Sequence, residues 1–294
     1  MKEILKSAGY VVMLLAVYAL SQVVFTFLGM TGAVVAGILS GSIDESVLSS
    51  AEQVTALFED FDVKMYGMAA GLFLSTIATL LFIHLIKGYR LKLSLFASMS
   101  RKPLLYSTLT VFSAMFAMNI FVQWFNLENL METQFDWLSH KFFGALTIAL
   151  LAPLLEEVLF RGAIQGYLLR RFKPWVAITV ASILFGAIHG NPVQVVYATL
   201  LGFVLGWLYY RTGSLLSVIV GHVLNNSLAT VTTIFFGSDE ELLSAASLSP
   251  AMETVSEVAM FAIFLALTVY FARMLNRVQP PVPSPWNDAD NAVR

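Results

Sequence analysis

Residues 146–172 read LTIALLAPLLEEVLFRGAIQGYLLRRF, an apolar run broken in its middle by Glu156, Glu157 and Arg161. A run of about 20 apolar residues is enough to cross a bilayer, and each charge at the centre of such a helix costs a few kcal/mol on insertion scales. Three charges within six residues therefore need a reason. Spacing supplies part of one. Glu157 and Arg161 are four apart on one helical face, acid N-terminal to base, which is the favourable order for an ion pair. Glu156 lies about 100° round the helix from Glu157 and is free to point into a cavity. Two carboxylates with a single nearby cation leave one acid unexplained, and an intramembrane ionisable group is first of all a functional candidate. The plainer readings are a buried salt-bridge cluster that only fixes packing, or an Arg161 that snorkels to the headgroups.

The rest of the chain agrees with a membrane setting. Of 294 residues, 58% are hydrophobic and 12% charged, and the mean hydropathy is +0.77. Soluble domains carry about 25% charged residues, so a soluble enzyme, a nucleic-acid binder and a disordered scaffold are all excluded. With no cysteine there is no disulfide, no thiol nucleophile and no thiolate metal site. Eight segments have the length and apolarity of spans or near-spans: 9–29, 66–86, 103–124, 142–162, 174–189, 192–210, 214–236 and 256–272. The fifth is short and the sixth follows at once, which suggests a tight hairpin that does not fully cross. The expected fold is thus all-α, a polytopic membrane protein with about eight transmembrane helices around a polar cavity.

Charge sets the orientation. With the N-terminus inside and all eight segments crossing, 14 of the 17 basic residues, among them Lys2, Lys6, Lys87, Arg90, Arg101, Lys102, Arg170, Arg171, Lys173, Arg211, Arg273 and Arg277, fall on the inner side. Basic residues near span ends follow the cytoplasmic face, so both termini are expected in the cytoplasm. On the outer side 14 of the 19 acids collect. There, residues 43–60 repeat apolar positions at Val47, Val54, Leu57 and Phe58, the spacing of a short amphipathic surface helix. Residues 1–278 read as a single transmembrane domain with its motif-bearing core at 140–236, and 279–294, rich in proline and polar residues, as a disordered cytoplasmic tail.

Polar groups elsewhere complete an inventory. His189 ends the fifth segment one turn after Phe185, and His222 lies in mid-span with Asn226 one turn further on the same face. His84 reads as interfacial and His140 as an outer-loop residue. Taken singly, each buried histidine is an interhelical hydrogen-bond partner. Taken together they suit amide hydrolysis: a glutamate and a histidine sharing a water form a general base, and imidazole and amide N–H groups stabilise an oxyanion. Gly162/Gly166 and Gly202/Gly206 have the spacing of close helix contacts.

The ordered set Glu156-Glu157-x-x-x-Arg161, Phe185-x-x-x-His189 and His222-x-x-x-Asn226 resembles the intramembrane proteases of the CAAX prenyl protease and bacteriocin-processing family, also called Abi. The resemblance covers about 140–230. It implies that Glu156 and His189 activate a water, that His222 and Asn226 stabilise the oxyanion, that Glu157 and Arg161 hold the geometry, and that Phe185 packs beneath His189. The expected function is an intramembrane endopeptidase acting on a membrane-associated protein or peptide, in contact with membrane lipids and no nucleic acid, in a bacterial inner membrane. No cofactor is required in a glutamate-type mechanism. A divalent metal such as Zn2+ held by Glu156, His189 and His222 is the other option, although three ligands on three helices lack the paired histidines of a zinc-protease helix. A proton-coupled transporter or a non-catalytic membrane scaffold are the competing functions.

Overall fold

The computed structural model describes residues 1–85, 99–236 and 250–280. Its regular elements are helical throughout, as the apolar runs require: α1 Lys2–Ser40, α2 Ala51–Glu59, α3 Phe61–Leu85, α4 Arg101–Gln123, α5 Glu132–Ser139, α6 over 142–169, α7 Pro174–Ala187, α8 Pro192–Thr212, α9 Leu215–Phe236 and α10 Pro250–Val278. Six of them, α1, α3, α4, α8, α9 and α10, are long and apolar enough to cross a membrane. That is fewer than the eight segments read from the sequence, and the two that differ are informative. Helix α7 has 14 residues, about 21 Å at 1.5 Å per residue, short of the ~30 Å hydrocarbon core. Helix α6 is continuous but not regular. Thr147–Leu151 and Glu157–Gln165 widen into π-turns between α-helical pieces, a distortion that recurs at functional sites. The first helix runs well past the expected 9–29, and α2, preceded by a 3-10 turn at Glu45–Ser49, takes the place of the surface helix. Its Val54, Leu57 and Phe58 are half-buried, with Phe58 stacked on Phe27 of α1.

Several long-range polar contacts tie the helix ends together. At the basic end Arg171 Nε donates to Glu3 at 2.7 Å, and Arg211 Nη2 donates to the carbonyls of Asn276 and Gln279. Tyr10 stacks on Tyr167 there, and the Arg171 guanidinium caps the same ring. At the acidic end Trp124 donates to Glu257, Trp137 to Asp62, and Asn191 to Asn129. The charge pattern thus matches how the helix ends meet. Lys87, Arg90, Lys92, Asp239–Glu241 and most of the C-terminal tail lie outside the described residues. His84 is exposed at the end of α3, and His140 is exposed beside Asp136.

Exposure is inverted with respect to a soluble protein. Val255, Val258, Ile263, Leu265 and Val269 of α10 are open although apolar, the pattern of a helix whose solvent is hydrocarbon. By contrast, every residue from Glu157 to Gln165 is buried. Glu157 and Arg161 are thus wrapped by protein, and Glu156 beside them keeps a partly exposed side chain.

Helix α7 returns as α8 through Gly190, whose φ of +66° is a left-handed conformation suited to glycine. The two helices then touch backbone to backbone. A Cβ on Gly186 would lie 2.6 Å from the carbonyl oxygen of Val195 and collide with Thr199, and a Cβ on Gly202 would lie 3.1 Å from Ser182 Cα. Gly186→Ala is expected to push the hairpin apart and destabilise the protein by about 1–3 kcal/mol, the usual range for overpacking. Unfolding in detergent micelles measures it, and an unchanged midpoint would contradict the close packing.

Candidate active site

Helices α6, α7, α8 and α9 converge on one cluster. Glu157, on the π-turn of α6, is fully buried, and Arg161 one turn later is 1% exposed. Arg161 Nη1 donates to Glu157 Oε1 at 3.0 Å, so the i,i+4 pair forms. The same carboxylate oxygen faces His222 Nδ1 at 2.8 Å. A carboxylate only accepts, so Nδ1 carries the proton and Glu157 sets the rotation of the imidazole. The other ring nitrogen, Nε2, lies 3.6 Å from Glu156 Oε2. His222 therefore stands between two carboxylates, gripped by the buried one and facing the other. Glu157 Oε2 has no hydrogen-bond partner among the described residues.

Arg161 does more than neutralise Glu157. Its Nη2 donates to the Gly202 carbonyl at 3.3 Å, and its guanidinium lies 4.3 Å from the centre of the Phe185 ring. One turn on, Gln165 Nε2 donates to the Gly206 carbonyl at 2.8 Å. Positions 161 and 165 of α6 thus ladder onto positions 202 and 206 of α8. The two glycines give the long side chains access to backbone oxygen, since a Cβ on Gly206 would come 2.8 Å from Gln165 Oε1. The glycine spacing at 202 and 206 signalled a close contact. Nothing in it signalled that Arg161 and Gln165 are the groups that fill it.

Phe185 is the hub of the aromatic side. Its ring meets Phe160, His189 and His222 edge to face, with centroids 5.2, 5.2 and 5.7 Å away. His189 Nδ1 bonds the Phe185 carbonyl at 2.8 Å. A carbonyl only accepts, so Nδ1 carries the proton and the Nε2 lone pair is left for chemistry. His189 is half-buried. The side chain of Glu156 is 12% exposed, against 4% for His222 and 0% for Glu157. The groups with access from outside are therefore Glu156 and His189, and those sealed within are Glu157, Arg161 and His222.

Two placements bear on the roles that the resemblance implies. The imidazole beside Glu156 is that of His222, and among the described residues no hydrogen bond or ion pair joins Glu156 to His189. Asn226 is already engaged, its Nδ2 donating to the Ile148 carbonyl at 3.0 Å and its Oδ1 accepting from Asn225 Nδ2 at 3.0 Å. One amide hydrogen of Asn226 remains uncommitted. Helix α1 also reaches the site, with Tyr18 within electrostatic range of Glu156. No sequence signal marked Tyr18, since a tyrosine in an apolar helix carries no motif.

Zinc catalysis wants three converging protein ligands and an open position. Among the described residues no group of three or more His, Asp or Glu side chains is placed to hold an ion. His222 Nε2 and Glu156 Oε2, 3.6 Å apart with Nδ1 of the same ring held by Glu157, offer two ligands of the three.

Comparison with known proteins falls on this same part of the chain. Residues 138–228 match the family model described as type II CAAX prenyl endopeptidase, Rce1-like. An 83-residue segment, 28% of this chain, is 29% identical to "Putative membrane peptidase YdiL" of Bacillus subtilis (strain 168), and the match spans 34% of that protein's length. No solved structure matches. The motif-bearing segment is thus similar to the Rce1-like CAAX endopeptidases, the family the three motifs resemble.

Proposed function

We propose that this chain, whose motif-bearing segment is similar to the Rce1-like CAAX endopeptidases, is an intramembrane endopeptidase that hydrolyses a peptide bond of a membrane-associated protein or peptide. The observation that carries the reading is the cluster in which Glu157 and Arg161 are sealed in protein and fix His222 against Glu156. A merely structural salt bridge between Glu157 and Arg161 would not need the second acid. Glu156 is left without a cation of its own, next to an oriented imidazole and open to the outside.

In the proposed reaction a water enters between Glu156 and the free Nε2 of His189. Glu156 takes one proton as the water oxygen attacks the scissile carbonyl carbon. The oxygen that becomes anionic is met by His222 and by the uncommitted N–H of Asn226. Collapse of the tetrahedral intermediate breaks the C–N bond, and the proton held by Glu156 passes to the leaving amine. Glu157, Arg161 and Phe185 keep the imidazoles in place. The scheme needs no metal.

The proposed setting is a bacterial inner membrane. Residues 1–278 are read as one membrane domain in which α6 and the short α7 join six crossing helices, with the start of α1 and the end of α10 on the basic, cytoplasmic side. Membrane lipids surround it, and the substrate is a membrane-embedded or lipid-proximal protein or peptide.

Mass spectrometry of new peptide termini, comparing membranes that contain wild-type or Glu156→Gln protein with and without a chelator, tests function and metal need together. Termini present in wild type and absent from Glu156→Gln are expected, unchanged by chelation. Identical termini in both would remove the assigned base. Loss on chelation with recovery on adding Zn2+ would replace the metal-free scheme.

A further inference from the structure

We propose that Pro153 and Tyr197 are positioning residues that orient the Asn226 amide, acting from opposite ends of a hydrogen-bond relay. The proposal rests on the reading that Asn226 serves the oxyanion. The relay crosses three helices. Tyr197 of α8 donates its hydroxyl to Asn225 Oδ1 at 2.5 Å, Asn225 Nδ2 donates to Asn226 Oδ1 at 3.0 Å, and Asn226 Nδ2 donates to the Ile148 carbonyl of α6 at 3.0 Å. Every link has a donor on one side and an acceptor on the other, so the direction is uniform from Tyr197 to Ile148.

The far end is set by the helix itself. In a regular α-helix the Ile148 carbonyl would accept from the N–H of residue 152. The N–H of Ala152 instead goes to Thr147, five residues back, because the segment is a π-turn. The next donor in π register would be residue 153, which is proline and has no N–H. Neither the α nor the π register therefore gives the Ile148 carbonyl its usual backbone donor, and Asn226 Nδ2 donates to it instead. A carbonyl cannot donate, so the amide nitrogen of Asn226, not its oxygen, must face α6.

The near end holds the amide oxygen. An asparagine side chain turned by 180° exchanges a donor for an acceptor, and only one of the two orientations gives an oxyanion a partner. Asn225 must present its nitrogen to Asn226, which requires its own oxygen to be engaged elsewhere, and the Tyr197 hydroxyl engages it. Asn225 is 7% exposed, so water does not substitute freely. With both ends fixed, the remaining N–H of Asn226 is presented in one direction only.

The test uses full-length protein in detergent micelles and, as probe, a synthetic peptide spanning a cleavage site found by the terminal-peptide comparison above. Tyr197→Phe and Pro153→Ala are each measured alone and on an Asn226→Ala background, with incubations lengthened to suit the slower enzymes. Each single change is expected to lower kcat by about 5- to 10-fold, the size of one lost hydrogen bond, with KM unchanged. Neither should lower kcat further when Asn226 is already alanine. Pro153→Ala carries a second signature. Alanine is the better helix former, so the melting temperature should hold or rise while activity falls, which a loss of structure cannot produce.

Equal losses on both backgrounds would overturn the relay and leave the role of Asn226 standing. So would wild-type kcat in both single variants while Asn226→Ala is impaired. Wild-type cleavage by Asn226→Ala would remove the oxyanion reading and the relay with it.

Discussion

A Glu156→Gln protein is expected to insert, fold and bind substrate like the wild type and to cleave it about 10^2- to 10^4-fold more slowly, the contribution typical of a positioned general base. Glutamine keeps the volume and the hydrogen bonding of the side chain but cannot hold the proton of the attacking water. Because Glu156 is the partly exposed acid and its imidazole neighbour stands 3.6 Å away, little packing depends on its charge. The informative control is Glu157→Gln. Its carboxylate holds both Arg161 at 3.0 Å and His222 at 2.8 Å, so this variant should lose stability as well as activity. Two adjacent acids that respond differently, one in rate alone and the other in rate and melting temperature, would assign chemistry to the first and architecture to the second. A Glu156→Gln enzyme with wild-type kcat would end the proposed mechanism. Matching losses of melting temperature in both variants would make the pair one structural unit.

Part of this site was legible in the sequence because helices impose a fixed azimuth. A separation of four places Glu157 over Arg161 whatever surrounds the helix, and the same rule places Phe185 under His189 and His222 under Asn226. The side assigned to each span end likewise anticipated which ends meet, as Glu3 with Arg171 and Trp124 with Glu257 show. Azimuth on one helix says nothing of the helix it faces. The pairing of Glu156 with His189 comes from the resemblance alone, and the fold sets His222 beside Glu156. The same limit is why Arg161 and Gln165 were not assigned to the carbonyls of Gly202 and Gly206. The π-turns of α6 escaped for another reason. The first of them, Thr147–Leu151, runs directly into Pro153, which has no N–H to give, and a proline in an apolar run predicts a kink without saying which carbonyl is freed or what fills it. Asn226 illustrates the consequence, since a residue read only as an oxyanion donor also closes the gap that Pro153 leaves.

Arg161→Leu is expected to destabilise the protein by about 3–5 kcal/mol, the range for removing one partner of a buried ion pair. The loss has three parts in the structure. Glu157 keeps its charge with only His222 as partner, the Gly202 carbonyl loses its donor, and the Phe185 ring loses the guanidinium lying 4.3 Å from its centre. Arg161→Lys should recover only part of this. An ammonium is a point charge without the planar fork, so it can pair with Glu157 but cannot also reach Gly202 and stack on Phe185. The double variant Glu157→Leu/Arg161→Leu separates stability from function. Replacing a whole buried pair by apolar groups is often neutral, so the part of the loss due to the unpaired Glu157 charge should return, yet cleavage should stay lost because His222 no longer has an acceptor for Nδ1–H. Denaturant titration in micelles, read beside the rate of peptide cleavage, measures both. An Arg161→Leu protein that unfolds within about 1 kcal/mol of wild type, the scale of an exposed ion pair, would mean that the charges on α6 are solvated. A double variant that cleaves normally would mean that the grip of Glu157 on His222 has no part in the reaction.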